Sequence, residues 1–501
     1  MFHFSPNPNH AHQIRWHEWG DDAFNAAREQ DKPVMLFLTA FWCRFCQRMD
    51  EGAFSDHENI ALLNAYFIAV RCDYAQRPDV DVRYNRNGWP TIAFMTADGH
   101  LLAVANYLES LEFGDLLVRV YTAYHEKKDE MRLLARTARE SIREAQQRTV
   151  TAPPVFSILT QITRLVMELA DGEHGGYGCG QKFIHPHANE FLLACYESTR
   201  NSQYLDQVCL TLDRMRESPM RDHEAGGYFR TCSGRDWSQP HREKLLAEQA
   251  GIVTNCLRAF RITQRPVYAR MAEEITAYLN CKLSDVATGA FYGCEDFLRK
   301  ETAKGSSNEE FFSIRDNCIY VDANARAVIA YLDAAVMLAN PGYRTRALQA
   351  LSFLWEHCRS RNGAMAHYFD GAPHGAGLLE DQIAMGNALL KAYSITAENE
   401  YRERAMMLAE FVGVQLKNSN GGYYDIHTPG PALAGFRLTL IAQNGAAASF
   451  FLALAEATGK YNYREAALWA LCTFSGDLSP YGLDAACFGQ ALCEYFNSPG
   501  S

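Results

Sequence analysis

Residues 33–46 read PVMLFLTAFWCRFC, and the fold of the first part of the chain turns on this stretch. Pro33 to Trp42 is a short apolar and aromatic run, which predicts a buried strand. Cys43-Arg44-Phe45-Cys46 follows at once, and Gln47 to Leu63 reads as mainly helical. A CxxC where a strand hands over to a helix has a physical purpose. The first thiol sits near the unpaired N–H groups and positive end of the helix, which stabilises its thiolate. The second lies one turn later, close enough to close a disulfide and release a bound partner. A zinc site would need a second close pair, and none lies near in sequence.

The flanking sequence supports this. Tyr66 to Cys72 and Thr91 to Thr96 read as two more strands, and Asp98-Gly99 as a hairpin turn before Leu101 to Val104. Gly88-Trp89-Pro90 opens the second of these strands, with Pro90 lying 44 residues after Cys46. A cis bond at such a proline would leave the preceding backbone free to pair with an extended substrate.

Composition bounds the alternatives. The chain has 501 residues, 48% of them hydrophobic and 21% charged, which excludes a disordered scaffold or a fibre and predicts two or three domains. A net charge of −11 without a basic stripe argues against a nucleic-acid partner. The longest apolar run, Val34 to Cys43, is too short to cross a bilayer. The first 16 residues lack the pattern of a secretion signal, and the 15 scattered cysteines fit reduced thiols better than a disulfide framework. A cytoplasmic location is the expectation.

AFWCRFC, the GWPT element and their spacing resemble a thioredoxin domain. Trp16-x-x-Trp19-Gly20, Asp31-Lys32-Pro33, Cys72-Asp73, Arg77-Pro78-Asp79 and Asp81 narrow the likeness to the two-domain family of spermatogenesis-associated protein 20 and its bacterial relatives. That resemblance implies an α/β thioredoxin-like domain followed by an all-α, six-hairpin glycosidase-like (α/α)6 toroid. It implies Cys43 as attacking thiolate, Cys46 as resolving thiol, and Trp89-Pro90 as the element that positions a partner. Two departures stand out. Phe37 replaces the buried acid of ordinary thioredoxins, and Arg44-Phe45 replaces the usual Gly-Pro between the cysteines.

Residues 126–148 are highly charged and predict a surface helix, punctuated by Thr151-Ala152-Pro153-Pro154. The expected division is therefore 1–125, a linker over 126–154, and 155–501. Beyond the linker a signal recurs: Gly175-Gly176-Tyr177, Gly226-Gly227-Tyr228, Gly289-Ala290-Phe291, a weaker Asn362-Gly363-Ala364-Met365, and Gly421-Gly422-Tyr423. The starts are 51, 63, 73 and 59 residues apart. Such spacing fits a closed ring of helical hairpins better than a solenoid, whose repeats are shorter and more regular.

The family resemblance extends to Lys182-Phe183, Glu243-Lys244-Leu245 and Glu295-Asp296. It implies a concave pocket in the toroid containing Tyr177, Tyr228, Trp237, His241, Glu295 and Asp296. Acid–base chemistry there would need two facing groups, and His241 with Glu295 or Asp296 is the first expectation, with Glu380-Asp381 a further acidic pair. Cys179, Cys232 and Cys294 each follow a Gly-aromatic turn and could share a rim or simply replace small core residues.

The leading functional expectation is thiol–disulfide exchange on a protein or small-molecule partner recruited by the toroid. The alternatives are a carbohydrate-active enzyme using the toroid pocket and a non-catalytic interaction protein. No cofactor, metal, nucleic acid or membrane is expected.

Overall fold

The computed structural model describes residues 2–127, 152–299 and 311–498, together with 130, 133, 134, 137 and 140. The charged helix expected over 126–148 lies largely outside the described residues. The chain forms two compact units. The first comprises Met1–Thr149 and Thr428–Leu438, and the second comprises Val150–His427 and Thr439–Ser501. The segment Thr428–Leu438, expected within the toroid, belongs with the first unit, where the Arg83 guanidinium donates to the Phe436 carbonyl at 2.6 Å.

The first unit is built on a five-stranded sheet. Its strands are β1 (Trp16–His17), β2 (Val34–Thr39), β3 (Ile68–Asp73), β4 (Thr91–Met95) and β5 (Leu101–Ala105), in the order β1-β3-β2-β4-β5. β3 runs parallel to β1 and β2, whereas β4 is antiparallel to β2 and β5. Every residue of β2 is buried, which is why the stretch reads as an unbroken apolar run. Side chains alternate across the pleat. Val34, Leu36 and Leu38 pack with Phe24 of α1 (Asp21–Gln30) and with Val80 and Tyr84. Phe37 points to the other face, where Phe54 stacks edge-on against it and Phe113 against Phe54. Helices α2 (Arg44–Glu51), α3 (His57–Tyr66), α4 (Pro78–Tyr84) and α5 (Ser110–Glu126) complete the unit.

The second unit contains twelve helices among the described residues. Six of them, α7 (Pro186–Thr199), α9 (Leu246–Thr263), α11 (Val321–Met337), α13 (Leu379–Thr396), α15 (Ile441–Thr458) and α17 (Ala485–Asn497), pack against one another in a closed cycle. Each of the first five is backed by the helix that follows it: α8 (Ser202–Glu217), α10 (Pro266–Tyr278), α12 (Pro341–His357), α14 (Asn399–Phe411) and α16 (Tyr461–Leu471). The first helix, α6 (Phe156–Leu169), backs the last, α17, so the two ends of the ring meet. Inner-to-outer connections are tight, and those after α7, α9, α13 and α15 reverse through a left-handed residue at Arg200, Gln264, Ala397 and Gly459. Outer-to-inner connections are long and carry the Gly-aromatic turns.

Four of the five recurring turns are held by one repeated device. At Tyr228 the backbone N–H donates to Gln249 Oε1 (2.9 Å), and the carbonyl accepts from Gln249 Nε2 (2.6 Å). The same reciprocal pair joins Phe291 to Asn324 (2.7 and 2.9 Å), Met365 to Gln382 (2.7 and 3.1 Å) and Tyr423 to Asn444 (2.7 and 3.0 Å). All four amides are fully buried in the first turns of inner helices. A primary amide has one donor end and one acceptor end, so it satisfies both backbone groups of a buried turn residue at once. The glycines follow from this. A Cβ on Gly227 would lie 2.9 Å from Gln249 Oε1, and one on Gly422 would lie 2.5 Å from Asn444 Oδ1.

Replacing Asn444 by Leu keeps the volume and strands both backbone groups of Tyr423. An orphaned buried group costs about 1–3 kcal/mol. Urea unfolding followed by circular dichroism should therefore show Asn444→Leu less stable than wild type by at least that amount, whereas an exposed change such as Val414→Leu should leave the midpoint unmoved.

Candidate functional site

In the first unit Cys43 is the N-cap of α2, and its sulfur accepts the backbone N–H of Cys46 at 3.1 Å. The strand–CxxC–helix reading of the sequence places it there, with the thiol at the positive end of the helix. In this structure Cys43 and Cys46 are joined as a disulfide. Both are nearly buried, whereas Phe45 between them is 48% exposed. Three aromatic rings gather beside the pair: Trp42 meets Tyr74 and Trp89 edge-on, and Tyr74 tilts against Trp89.

The Trp89–Pro90 bond is cis. Trp89 is held by its indole N–H, which donates to Asp81 Oδ1 at 2.9 Å, and the same oxygen accepts from Asn85. Burial pushes the Asp81 carboxyl up despite these two bonds. The loop is fixed from the other side by Asn106, whose amide donates to the carbonyls of Pro90 (2.8 Å) and Arg86 (2.9 Å). Phe37, at the position of the missing acid, lies beneath the Arg71 guanidinium, 5.0 Å from its ring centroid. Arg71 in turn grips Asp50 with two bonds of 2.7 and 2.9 Å, both side chains buried. The buried charge of this unit is thus an ion pair on the α2 side of the sheet.

In the toroid the expected pocket residues do not come together. Tyr177, Tyr228 and Trp237 are buried parts of the repeat. The Tyr177 hydroxyl donates to Asn189 at 2.8 Å, Tyr228 is held by Gln249, and the Trp237 indole donates to the His174 carbonyl at 2.8 Å. The Tyr228 ring is drawn inward because the clamp fixes its backbone against the inner helix. His241 is exposed on a short strand, Pro240–His241, with Ser233 as its partner at 2.9 Å. Glu295 and Asp296 are buried in a different sheet. Glu295 accepts from the Tyr278 and Ser313 hydroxyls at 2.9 and 2.7 Å, and Asp296 accepts from the Phe297 N–H at 2.8 Å. These carboxylates are engaged in holding the fold, so the expected pairing of His241 with Glu295 or Asp296 is replaced by separate structural roles. Cys179 is exposed, while Cys232 and Cys294 are buried in different sheets.

Glu380 and Asp381 do belong to a polar cluster, formed where the inner helices begin. Arg326 of α11 reaches across the ring, one guanidinium N–H at 2.5 Å from His187 Nε2 of α7 and another donating to Glu380 of α13 at 2.6 Å. His187 Nδ1 lies 3.8 Å from Glu190, and Cys487 of α17 is near enough to the same imidazole to influence its charge. Cys487 and Glu190 draw the imidazole toward its protonated form, against burial and the guanidinium of Arg326. Asp381 is fully buried, pairs with His367 at 3.0 Å, and is pushed by that burial up to about 7. The side chains of His187 and Arg326 remain 45% and 30% exposed, so they line a solvent-accessible hollow where the inner helices begin.

Glu248, in the first turn of α9, has a buried Oε2 with no hydrogen-bond partner, and burial raises its pKa to about 8. It therefore carries a proton at neutral pH. The sequence reading passed over Glu190, Glu248, Arg326 and Cys487. Their common signal is position in the first two turns of an inner helix, visible once the outer-to-inner loops are recognised.

The first unit is thus a thioredoxin-like domain and the second an (α/α)6 toroid, a class whose solved members include sugar epimerases. The toroid superposes on a cellobiose 2-epimerase from Bacillus thermoamylovorans B4167 with a TM-score of 0.54 at 13% identity, over 66% of this chain and 96% of that one. A cellobiose 2-epimerase from Spirochaeta thermophila DSM 6192 gives a TM-score of 0.52 at 14% identity, over 72% and 98%. Residues 7–143 match the family described as "Protein of unknown function, DUF255" (Thioredox_DsbH). The chain is similar to spermatogenesis-associated protein 20: it is 29% identical to the Rattus norvegicus protein over 323 residues, 57% of this chain. The match spans 39% of that protein's length. No helix among the described residues is long and apolar enough to cross a membrane.

The protonated state of Glu248 has a measurable sign. Between its ordinary value of 4.5 and about 8, the unfolded chain has released this proton and the folded chain retains it. Its contribution to stability therefore falls as pH rises through that window. Glu248→Gln removes the titration, so the variant should gain stability relative to wild type between pH 5 and pH 8; parallel curves for the two proteins would contradict the assignment.

Proposed function

We propose that the protein catalyses thiol–disulfide exchange through Cys43 and Cys46. The observation that carries this reading is the Cys43 sulfur at the N-terminus of α2, accepting the Cys46 N–H beside the Trp89–Pro90 loop. In the reduced enzyme the Cys43 thiolate attacks one sulfur of a partner's disulfide. A Cys43–partner bond forms and the partner's other sulfur leaves as a thiolate. Cys46 then loses its proton, attacks Cys43, and releases the partner as a dithiol, leaving the Cys43–Cys46 disulfide. An external thiol reductant returns the two electrons.

Trp42, Tyr74 and Trp89 provide an apolar wall for an extended partner strand, and Asp81 positions Trp89 through the indole N–H. The partner is a protein or small-molecule disulfide recruited by the toroid, in a cytoplasm that keeps the remaining thiols reduced.

A second reading, a carbohydrate-active toroid, has its own support in Glu248, His187 and Arg326. A carboxylic acid protonated at neutral pH can donate a proton, and an imidazole beside a guanidinium can orient a sugar hydroxyl. The epimerases with which the toroid superposes supply the fold and no more.

Mixed-disulfide trapping separates these readings. Cys46→Ser should leave Cys43 covalently attached to its partner, and mass spectrometry should identify the adduct. Cys43→Ser should lower disulfide-reductase turnover by at least a hundredfold while His187→Ala leaves it intact. An accessible Cys43 that traps nothing, with turnover of sugars lost in His187→Ala, would transfer the activity to the toroid.

A further inference from the structure

The ring of inner helices closes where α7 meets α17, and two thiols sit on that seam. The sulfurs of Cys195 and Cys493 are 3.9 Å apart, although the residues are 298 positions apart in sequence. Both are buried, at 4% and 3% exposure. We propose that Cys195 and Cys493 form a second redox-active dithiol, which closes to a disulfide across the ring seam by exchange with a low-molecular-weight disulfide.

Three features of the surroundings suit this chemistry. The first is reach. A disulfide needs its sulfurs at about 2.05 Å, so the pair has roughly 2 Å to close, shared between two side chains on helices already packed together. The second is polarity. The hydrogen bond between the two sulfurs draws the Cys195 thiol below its ordinary value. The Arg258 guanidinium acts in the same direction. Burial and the neighbouring thiol push Cys493 the other way. Cys195 is thus the attacking thiol and Cys493 the resolving one. By contrast, burial and nearby carboxylates push Cys232 and Cys358 up to about 12.

The third feature is access. A pocket of about 370 Å³ is lined by both cysteines, with Phe156, Leu159, Met167, Tyr204 and Phe496 among its other walls. It admits one thiol half of a small disulfide to the pair without opening the ring.

The exchange balances as follows. The Cys195 thiolate attacks one sulfur of the small disulfide, expelling the first thiolate and forming a mixed disulfide. That thiolate takes the Cys493 proton. Cys493 then attacks the Cys195 sulfur and expels the second thiolate, which takes a proton from water. Two protein thiols are oxidised and one disulfide is reduced to two thiols. The product links α7 to α17 covalently and fastens the closure of the ring.

The test uses the full-length Cys43→Ser/Cys46→Ser protein, so that it does not depend on the first dithiol. After incubation with glutathione disulfide, non-reducing peptide mass spectrometry should find the Cys195 and Cys493 peptides linked, and the Tm should rise by several degrees. Adding Cys493→Ala should abolish the link and leave glutathione on Cys195. A measurement that needs no substitution at the seam is phenylarsine oxide, which bridges close dithiols and should protect both cysteines from alkylation. The proposal is overturned if glutathione appears on exposed Cys179 while Cys195 and Cys493 remain unlinked, or if the arsenical leaves both open to alkylation.

Discussion

The toroid depends on a side-chain amide meeting a peptide unit. Each long outer-to-inner loop carries a buried turn whose backbone has no strand or helix to complete it. Left unpaired, those N–H and carbonyl groups would cost more than the packing of the adjacent ring returns. Gln249, Asn324, Gln382 and Asn444 solve the problem from the next inner helix, each with one oxygen and one nitrogen. The clamp also fixes the point at which four of the long loops enter their inner helices. Arg326 and Glu380 of the polar hollow therefore stand on first turns that are held from behind.

The two halves of the chain were legible for different reasons. In the thioredoxin-like unit the informative residues are contiguous. A fully buried central strand has to be an unbroken apolar run, and the helix it feeds has to begin at the CxxC, so 33–46 reveals both fold and chemistry. In the toroid the glycines were legible because positive φ and the closeness of the clamping amide leave room for little else. Their partners were not. The amides follow the clamped residues by 21, 33, 17 and 21 positions, a spacing too irregular to read as a repeat. The aromatic rings looked like a pocket lining because they share a motif. That motif serves the turn, and the hollow is lined by residues further along.

Phe37 shows how a departure in sequence is absorbed in structure. An acid on β2 would be desolvated beneath the sheet. Here the same face is filled by rings, with the Arg71 guanidinium between Phe37 and Phe4 and its charge met by Asp50. The Asp50 carboxylate also accepts the Ser5 backbone N–H, and Arg71 donates to the His3 carbonyl, so the N-terminal strap is tied to the same pair. Removing either charge would leave the other buried and uncompensated.

The clasp of α6 and α7 on α17 bears on synthesis. Helices made early in the toroid wait for residues 485–497 before the ring can close. Until then, a growing chain on the ribosome holds an open arc, with the edges of α7 and the latest inner helix bare. Local hairpins can form as they emerge, because each inner helix is backed by the one that follows it. Closure is a late, long-range event of the kind that slows folding and leaves apolar edges exposed to other chains. The toroid thus has a period of vulnerability set by the rate of translation.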